Sequence, residues 1–191
     1  VLSAQKSFIK IAKDNNIEID VLISKKLNDV KNSTHIVLPG QGAFSTCMNG
    51  LKKTDGLIDE LSEFALIKKK PFLGICVGMQ MLAKMSEENG DHEGLGWIDG
   101  QIKLLPGDNL KLPHMGWNLA IPTNSKYNNL ISNKNDYYFV HSYYFDCANK
   151  DNILAETKYG TNFASIVGKE NIYGVQFHPE KSSSQGLNLL K

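Results

Sequence analysis

Apolar positions change their spacing from segment to segment, and each spacing predicts an element. Leu2, Phe8, Ile9 and Ala12 fall near one face of a 3.6-residue repeat, an opening helix. From Ile17 the chain reads Ile-Glu-Ile-Asp-Val-Leu-Ile, alternating and β-branched, the pattern of a strand. Thr34 to Leu38 is a short apolar run halted by Pro39-Gly40-Gln41-Gly42, a turn with two glycines. Leu57, Ile58, Leu61, Phe64 and Ala65 return to helical spacing. Lys68, Lys69 and Lys70 follow at that helix's C-terminal end, where positive charge suits the dipole, so they read as a solvated helix end and not a binding patch.

Pro71 to Ile75 predicts a brief buried strand, Gly78 to Met85 a helix directly after it, and Gly90 to Gly100 a glycine-rich loop. Strands follow at Tyr137–Val140, Ile153–Thr157, Phe163–Val167 and Ile172–Phe177, with a closing helix at Gly186–Leu190. Helices and strands alternate early and strands dominate later. The fold class is therefore α/β, with a mixed, mostly parallel sheet and helices on both faces. No repeat or low-complexity linker divides the chain, so residues 1–191 read as one domain. A helix with no strand before it is an unusual opening for such a domain, and an N-terminal strand with its turn is expected to be missing here.

Composition narrows the function classes. Of 191 residues 41% are hydrophobic, enough for a substantial core. The net charge of +1 supplies no electrostatic reason to expect nucleic acid or an anionic membrane. The apolar runs are too short to span a bilayer and the start does not resemble a signal peptide, so a cytoplasmic protein is the expectation. Cys47, Cys76 and Cys147 are odd in number and widely spaced, which argues for free thiols; no Cys or His spacing suggests a metal site.

One thiol stands in a chemical setting. Gly74-Ile75-Cys76-Val77-Gly78 lies between a predicted strand and a predicted helix, a nucleophile elbow with Cys in place of Ser. The turn is tight enough that residues two positions either side of the nucleophile must lack bulk. It lifts the sulfur to a helix N-terminus, where unpaired N–H groups favour a thiolate and an oxyanion. A Cys taken alone is more often a buried core residue; both glycines and the strand–helix setting tip the reading toward catalysis. A thiol nucleophile needs a base and the base an orienting group. Gly174-Val175-Gln176-Phe177-His178-Pro179-Glu180 supplies both, since a strand end in an α/β sheet can carry His178 to Cys76 while Glu180 fixes the imidazole tautomer. By itself a His-x-Glu is more often a surface pair.

The stretches Gly-Ile-Cys-Val-Gly-Met-Gln at 74–80 and Gly-Val-Gln-Phe-His-Pro-Glu at 174–180 resemble the class I glutamine amidotransferases, with their Cys-His-Glu triad. Pro39 to Phe44, Pro-His-Met-Gly-Trp-Asn at 113–118, Tyr-Phe-Val-His-Ser-Tyr at 138–143 and Lys181-Ser182 are similar to one branch of that family, the glutaminase subunits of imidazole glycerol phosphate synthase. The resemblance implies a flavodoxin-like fold and a role for each matching position. Cys76, His178 and Glu180 would be catalytic. Gly42, Val77, Gln80, Ser142 and Tyr143 would bind glutamine, with Val77 N–H and the Gly40–Gly42 turn as oxyanion donors; Gln41 stands where the family usually carries Val. His114, Met115, Trp117 and Lys181 would face a partner, a TIM-barrel cyclase that receives the ammonia in a heterodimer. No cofactor is implied.

Without the resemblance, Gln80 reads equally as a first-turn helix residue facing solvent, and residues 114–117 read as a loop with a partly buried aromatic. His141 reads as a structural histidine, and His35, His92, Cys47 and Cys147 carry no role. Other readings stay open at this point. They are the glutaminase component of an anthranilate, pyridoxal phosphate or GMP synthase, a non-catalytic docking module on the same fold, and a partner-free Cys hydrolase.

Overall fold

A computed structural model describes residues 1–107, 110–123 and 135–191. The first half runs α1 (Leu2–Asp14), α2 (Leu27–Asn32), β1 (Ile36–Gly40), α3 (Phe44–Lys52), α4 (Leu57–Ser62) continued by a π-turn (Glu63–Ile67), β2 (Phe72–Cys76) and α5 (Val77–Gln80). Short strands β3 (Met85–Ser86) and β4 (His92–Glu93) lead to β5 (Gly100–Leu104), β6 (His114–Pro122), β7 (Asn135–His141) and β8 (Tyr143–Cys147). Then come β9 (Ile153–Tyr159), β10 (Thr161–Lys169), β11 (Ile172–Val175) and α6 (Ser183–Leu189). Among the described residues no helix is long and apolar enough to cross a membrane.

The sheet is mixed, but among the described residues antiparallel pairings outnumber parallel ones, against the expectation of a mostly parallel sheet. In the second half, among the described residues, strands follow one another with no long helix between them, and without helical crossovers neighbouring strands pair antiparallel, as β9 with β10 and β10 with β11. The parallel part that matters is β1–β2–β11, in which Gly40 pairs with Cys76 and Val175 with Ile75. The carboxyl ends of these three strands are therefore level. The Gly40–Gly42 turn, the Cys76 elbow and the His178 segment leave the sheet side by side, at the edge where sites assemble in α/β sheets.

Two predicted elements differ in the structure. Ile17–Ile23 has no regular secondary structure and pairs with no strand among the described residues, held by Gln5 Nε2 donating to the Val21 carbonyl and by Ile17 N–H on Ala12 O. Ile17, Ile19, Leu22 and Ile23 are consequently exposed. Alternation is only a capacity for strand; hydrogen bonds from a neighbour realise it, and none is present among the described residues. The helix expected over Gly78–Met85 stops at Gln80, because the loop at 94–98 claims the carbonyls that further turns would use. Gly94, Leu95, Gly96 and Ile98 donate to the carbonyls of Lys84, Met81, Ala83 and Leu82.

The core is continuous beneath the site. Phe72, Ile75, Met79 and Leu82 pack behind the elbow, and Phe139, Phe163 and Phe177 behind the His178 segment, all buried. Tyr137 and Phe177 stack at 4.0 Å between ring centres.

Candidate active site

The elbow is built by close backbone approach. A Cβ on Gly78 would lie 1.7 Å from the Leu38 carbonyl oxygen, one on Gly74 2.5 Å from Gly78 O, and one on Gly40 2.7 Å from Gly78 N. Only glycine fits at each. The compression drives Cys76 to φ 56° and ψ −115°, a conformation rare for a residue with a side chain. The helix behind it is a single turn, so local N–H groups and not a long helix dipole face the sulfur's side.

His178 is fastened through its main chain. Its N–H donates to Tyr138 O (2.9 Å) on β7, and the buried Ser182 hydroxyl donates to His178 O (2.6 Å) while accepting from Tyr138 N–H (3.0 Å). The imidazole Nδ1 lies 2.9 Å from Glu180 Oε1, and Cys76 and His178 line one cleft, close enough for the thiol to act on the imidazole's proton affinity. The carboxylate only accepts, so Nδ1 carries the proton. Burial works against a charged imidazole, yet the hydrogen bonds and charges of Cys76 and Glu180 outweigh it and raise His178 from 6.5 to about 9. Burial would raise Glu180, but His178 and Lys181 hold its carboxyl below the ordinary value.

A cleft of about 250 Å³ opens over the sulfur. Gly42, Cys76, Val77, Gln80, Ser142, Tyr143 and His178 line it, and Lys181 stands at its rim. Gln80 does not face solvent: it is buried, and its Nε2 donates to Tyr143 O (3.0 Å) and Gln176 Oε1 (3.1 Å). Gly42 takes φ 91°, the left-handed geometry that its turn requires.

The remaining expected residues lie on β6, a strand where a loop was one reading. β7 pairs along the segment in register, His114 against His141 and Trp117 against Tyr138. Met115 (62% exposed) and Trp117 (52%) point outward together with Leu119 and Ile121, an apolar stripe at every second position. His114 points the other way. Its ring is 3% exposed, stacked on Tyr159 at 4.1 Å, so the expectation that it offers a partner-facing side chain is corrected by the alternation of the strand.

Glu88 and Gln176 line or support the cleft without having been singled out. Glu88 Oε2 accepts from Phe44 N–H (2.7 Å), and Gln176, fully buried, sets its Nε2 4.0 Å from Cys76 Sγ. No local signal marks Glu88, because the contact that aims it spans 44 positions. For Gln176 the signal was its place within the 174–180 motif. Among the described residues no cluster of three or more His, Cys, Asp or Glu is arranged for a metal ion.

Comparison with known proteins agrees with the geometry. Residues 3–191 match the family model described as glutamine amidotransferase class-I. The chain is 43% identical over 194 residues to the imidazole glycerol phosphate synthase subunit HisH of Pelagibacter ubique, covering 100% of this chain and 92% of the relative. It is 42% identical to the HisH subunit of Rhodospirillum rubrum, covering 98% and 90%. In fold it is similar to the glutaminase domain of a Trypanosoma brucei CTPS with bound acivicin, at TM-score 0.68 and 17% identity over 99% of this chain and 85% of that one. The chain belongs to the class-I glutamine amidotransferases, in the branch of the HisH subunits of imidazole glycerol phosphate synthase.

Proposed function

We propose that Cys76, His178 and Glu180 carry the glutaminase reaction of an imidazole glycerol phosphate synthase and that the ammonia passes to a TIM-barrel cyclase partner. Cys76 Sγ attacks the side-chain carboxamide carbon of glutamine, the nucleophile being the ionised sulfur with a proton held on His178. The carbonyl oxygen becomes an oxyanion, met by the Val77 N–H and by the Gly40–Gly42 turn. His178 delivers its proton to the departing nitrogen, the C–N bond breaks, and ammonia leaves a glutamyl thioester. A water molecule then attacks the thioester while His178 takes its proton, and glutamate departs with the sulfur restored. Glu180 keeps the imidazole in the required tautomer throughout.

The cleft suits an amino acid. Glu88 supplies the cleft with a carboxylate able to pair with an α-ammonium, and Ser142, Tyr143 and Gln80 line the same cleft. The apolar stripe on β6 and the exposed Lys181 suit the cyclase side, since four apolar side chains in alternation are a costly surface to leave in water. Three free thiols fit a reducing, cytoplasmic setting.

The observation that carries this reading is the convergence of Cys76 and His178 on one cleft, with Glu180 2.9 Å from the imidazole. Glutamate release from glutamine, measured with the cyclase and its ligand present, tests it. Cys76→Ala is expected to lower turnover by about 10⁴-fold or more; normal turnover in that variant would overturn the assignment.

A further inference from the structure

Behind the Tyr143 wall two buried histidines meet. His114 Nδ1 is 2.9 Å from His141 Nε2, His141 Nδ1 is 2.8 Å from Tyr143 O, and His114 Nε2 is 3.1 Å from Asn118 Nδ2. Their proton positions follow from what each end permits. Tyr143 O only accepts, so His141 Nδ1 carries a hydrogen and its Nε2 is the acceptor. His114 Nδ1 must then donate, which leaves His114 Nε2 to accept from Asn118. The Asn118 amide cannot be reversed to suit another arrangement. Its Nδ2 also donates to Lys158 O (3.1 Å), and its Oδ1 accepts from Leu119 N–H (2.8 Å).

Every polar atom from Lys158 to Tyr143 is thus committed, and all the donors point one way. An extra proton on either imidazole would set donor against donor inside a stack of Phe139, Tyr159 and Phe163 rings. Burial acts in the same sense, pushing His114 down to about 4 and His141 to about 3. Neither ring has a free lone pair for substrate, which removes His141 as a second base although it lines the cleft. The chain's end point is specific. Tyr143 O accepts from both His141 and Gln80, and Gln80 leads through Gln176 to within 4.0 Å of the Cys76 sulfur.

We propose that His114 and His141 are positioning residues, a neutral pair of fixed tautomer that holds the Tyr143 carbonyl and thereby sets Gln80 and the 142–143 wall for glutamine. The proposal rests on the glutaminase reading of the cleft. Losing this anchor loosens the binding wall and leaves the triad in place, so the effect falls on KM and not on kcat.

The test uses the complete enzyme with its cyclase. His141→Phe is expected to raise KM for glutamine about tenfold with kcat within about threefold. His141→Asn, whose amide can donate from the position of Nδ1, is expected to recover most of that loss. His114→Phe and His114→Asn should repeat the contrast. Alkylation of Cys76 by iodoacetamide, which needs no glutamine wall, should keep its wild-type rate in all four. An unchanged KM in a folded His141→Phe enzyme, equal behaviour of the Phe and Asn variants, or a fall confined to kcat would overturn the proposal. Histidine-labelled ¹⁵N spectra of the wild type at pH 7 judge it where a variant fails to fold. Both rings are expected as neutral Nδ1–H tautomers, and an Nε2–H form or an imidazolium at either position would overturn it. A wild-type complex with no glutaminase activity would bring down the functional reading and the positioning role together, whereas a KM insensitive to the histidines in an active complex brings down the positioning role alone.

Discussion

At Cys76 the backbone holds φ 56°, a conformation that costs about 1–3 kcal/mol for a residue with a side chain and persists only under compensating contacts. Those contacts also place the sulfur against His178, whose elevated proton affinity is the electrostatic centre of the site. The value in the folded chain lies above the ordinary one. The stabilisation from a protonated His178 is therefore complete below about 6.5 and is lost as pH rises through about 9. Glu180 has the opposite sign, its contribution being present above the ordinary carboxyl value and lost as pH falls through the depressed one. Glu180→Gln keeps the shape and removes the charge. It is expected to lower the His178 titration midpoint seen by NMR, to flatten the loss of thermal stability between pH 6.5 and 9, and to reduce turnover by about 10³-fold. An unshifted midpoint would mean that Glu180 does not govern the imidazole.

At the scale of elements, the elbow depends on how closely α5 is pressed onto β1 and β2. A methyl group at Gly78 collides with the Leu38 carbonyl, which is backbone and cannot swing aside. Gly78→Ala is expected to cost about 3 kcal/mol or more in denaturant unfolding. Gly42 offers a contrast, because a Cβ there meets nothing within 4 Å and only its positive φ resists. Gly42→Ala is expected to cost about 1 kcal/mol in stability while changing the oxyanion turn and hence turnover. If the two variants unfolded alike, close packing would not be what holds the elbow. β7 has a similar double duty, anchoring His178 through Tyr138 and carrying His141 beside the cleft.

Across the whole molecule, the two faces of β6 have different duties. Inward residues such as His114 support the cleft wall, and outward ones such as Trp117 remain available to a partner. Trp117→Ser is expected to weaken binding to the cyclase about tenfold or more while leaving the melting temperature of the isolated chain within about 2 °C. A large loss of monomer stability would place Trp117 in the core instead. If the Gly40–Gly42 turn supplies an oxyanion donor as proposed, that donor depends on how the turn is set. Glutaminase turnover is accordingly expected to rise about 10²-fold when the cyclase and its ligand are added, read by glutamate release; equal rates would remove any role for the partner in setting the turn.

The chemistry of this site was written in contiguous residues. Gly74, Cys76 and Gly78 announce an elbow because steric exclusion at a tight turn is a local constraint, and His178 and Glu180, two positions apart, meet through a local hydrogen bond. Helices such as α1 and strands such as β7, β9 and β10 were likewise readable, since periodicity is local. What depended on distant partners was not. Ile17–Ile23 has the alternation of a strand but no strand partner among the described residues, the helix after Cys76 ends early because a later loop takes its carbonyls, and β6 exists because β7 pairs with it. Glu88 and the facing of His114 toward His141 belong to that second class. A side chain's type is set where it sits in the chain, but its protonation state and direction are set by whatever the fold brings against it.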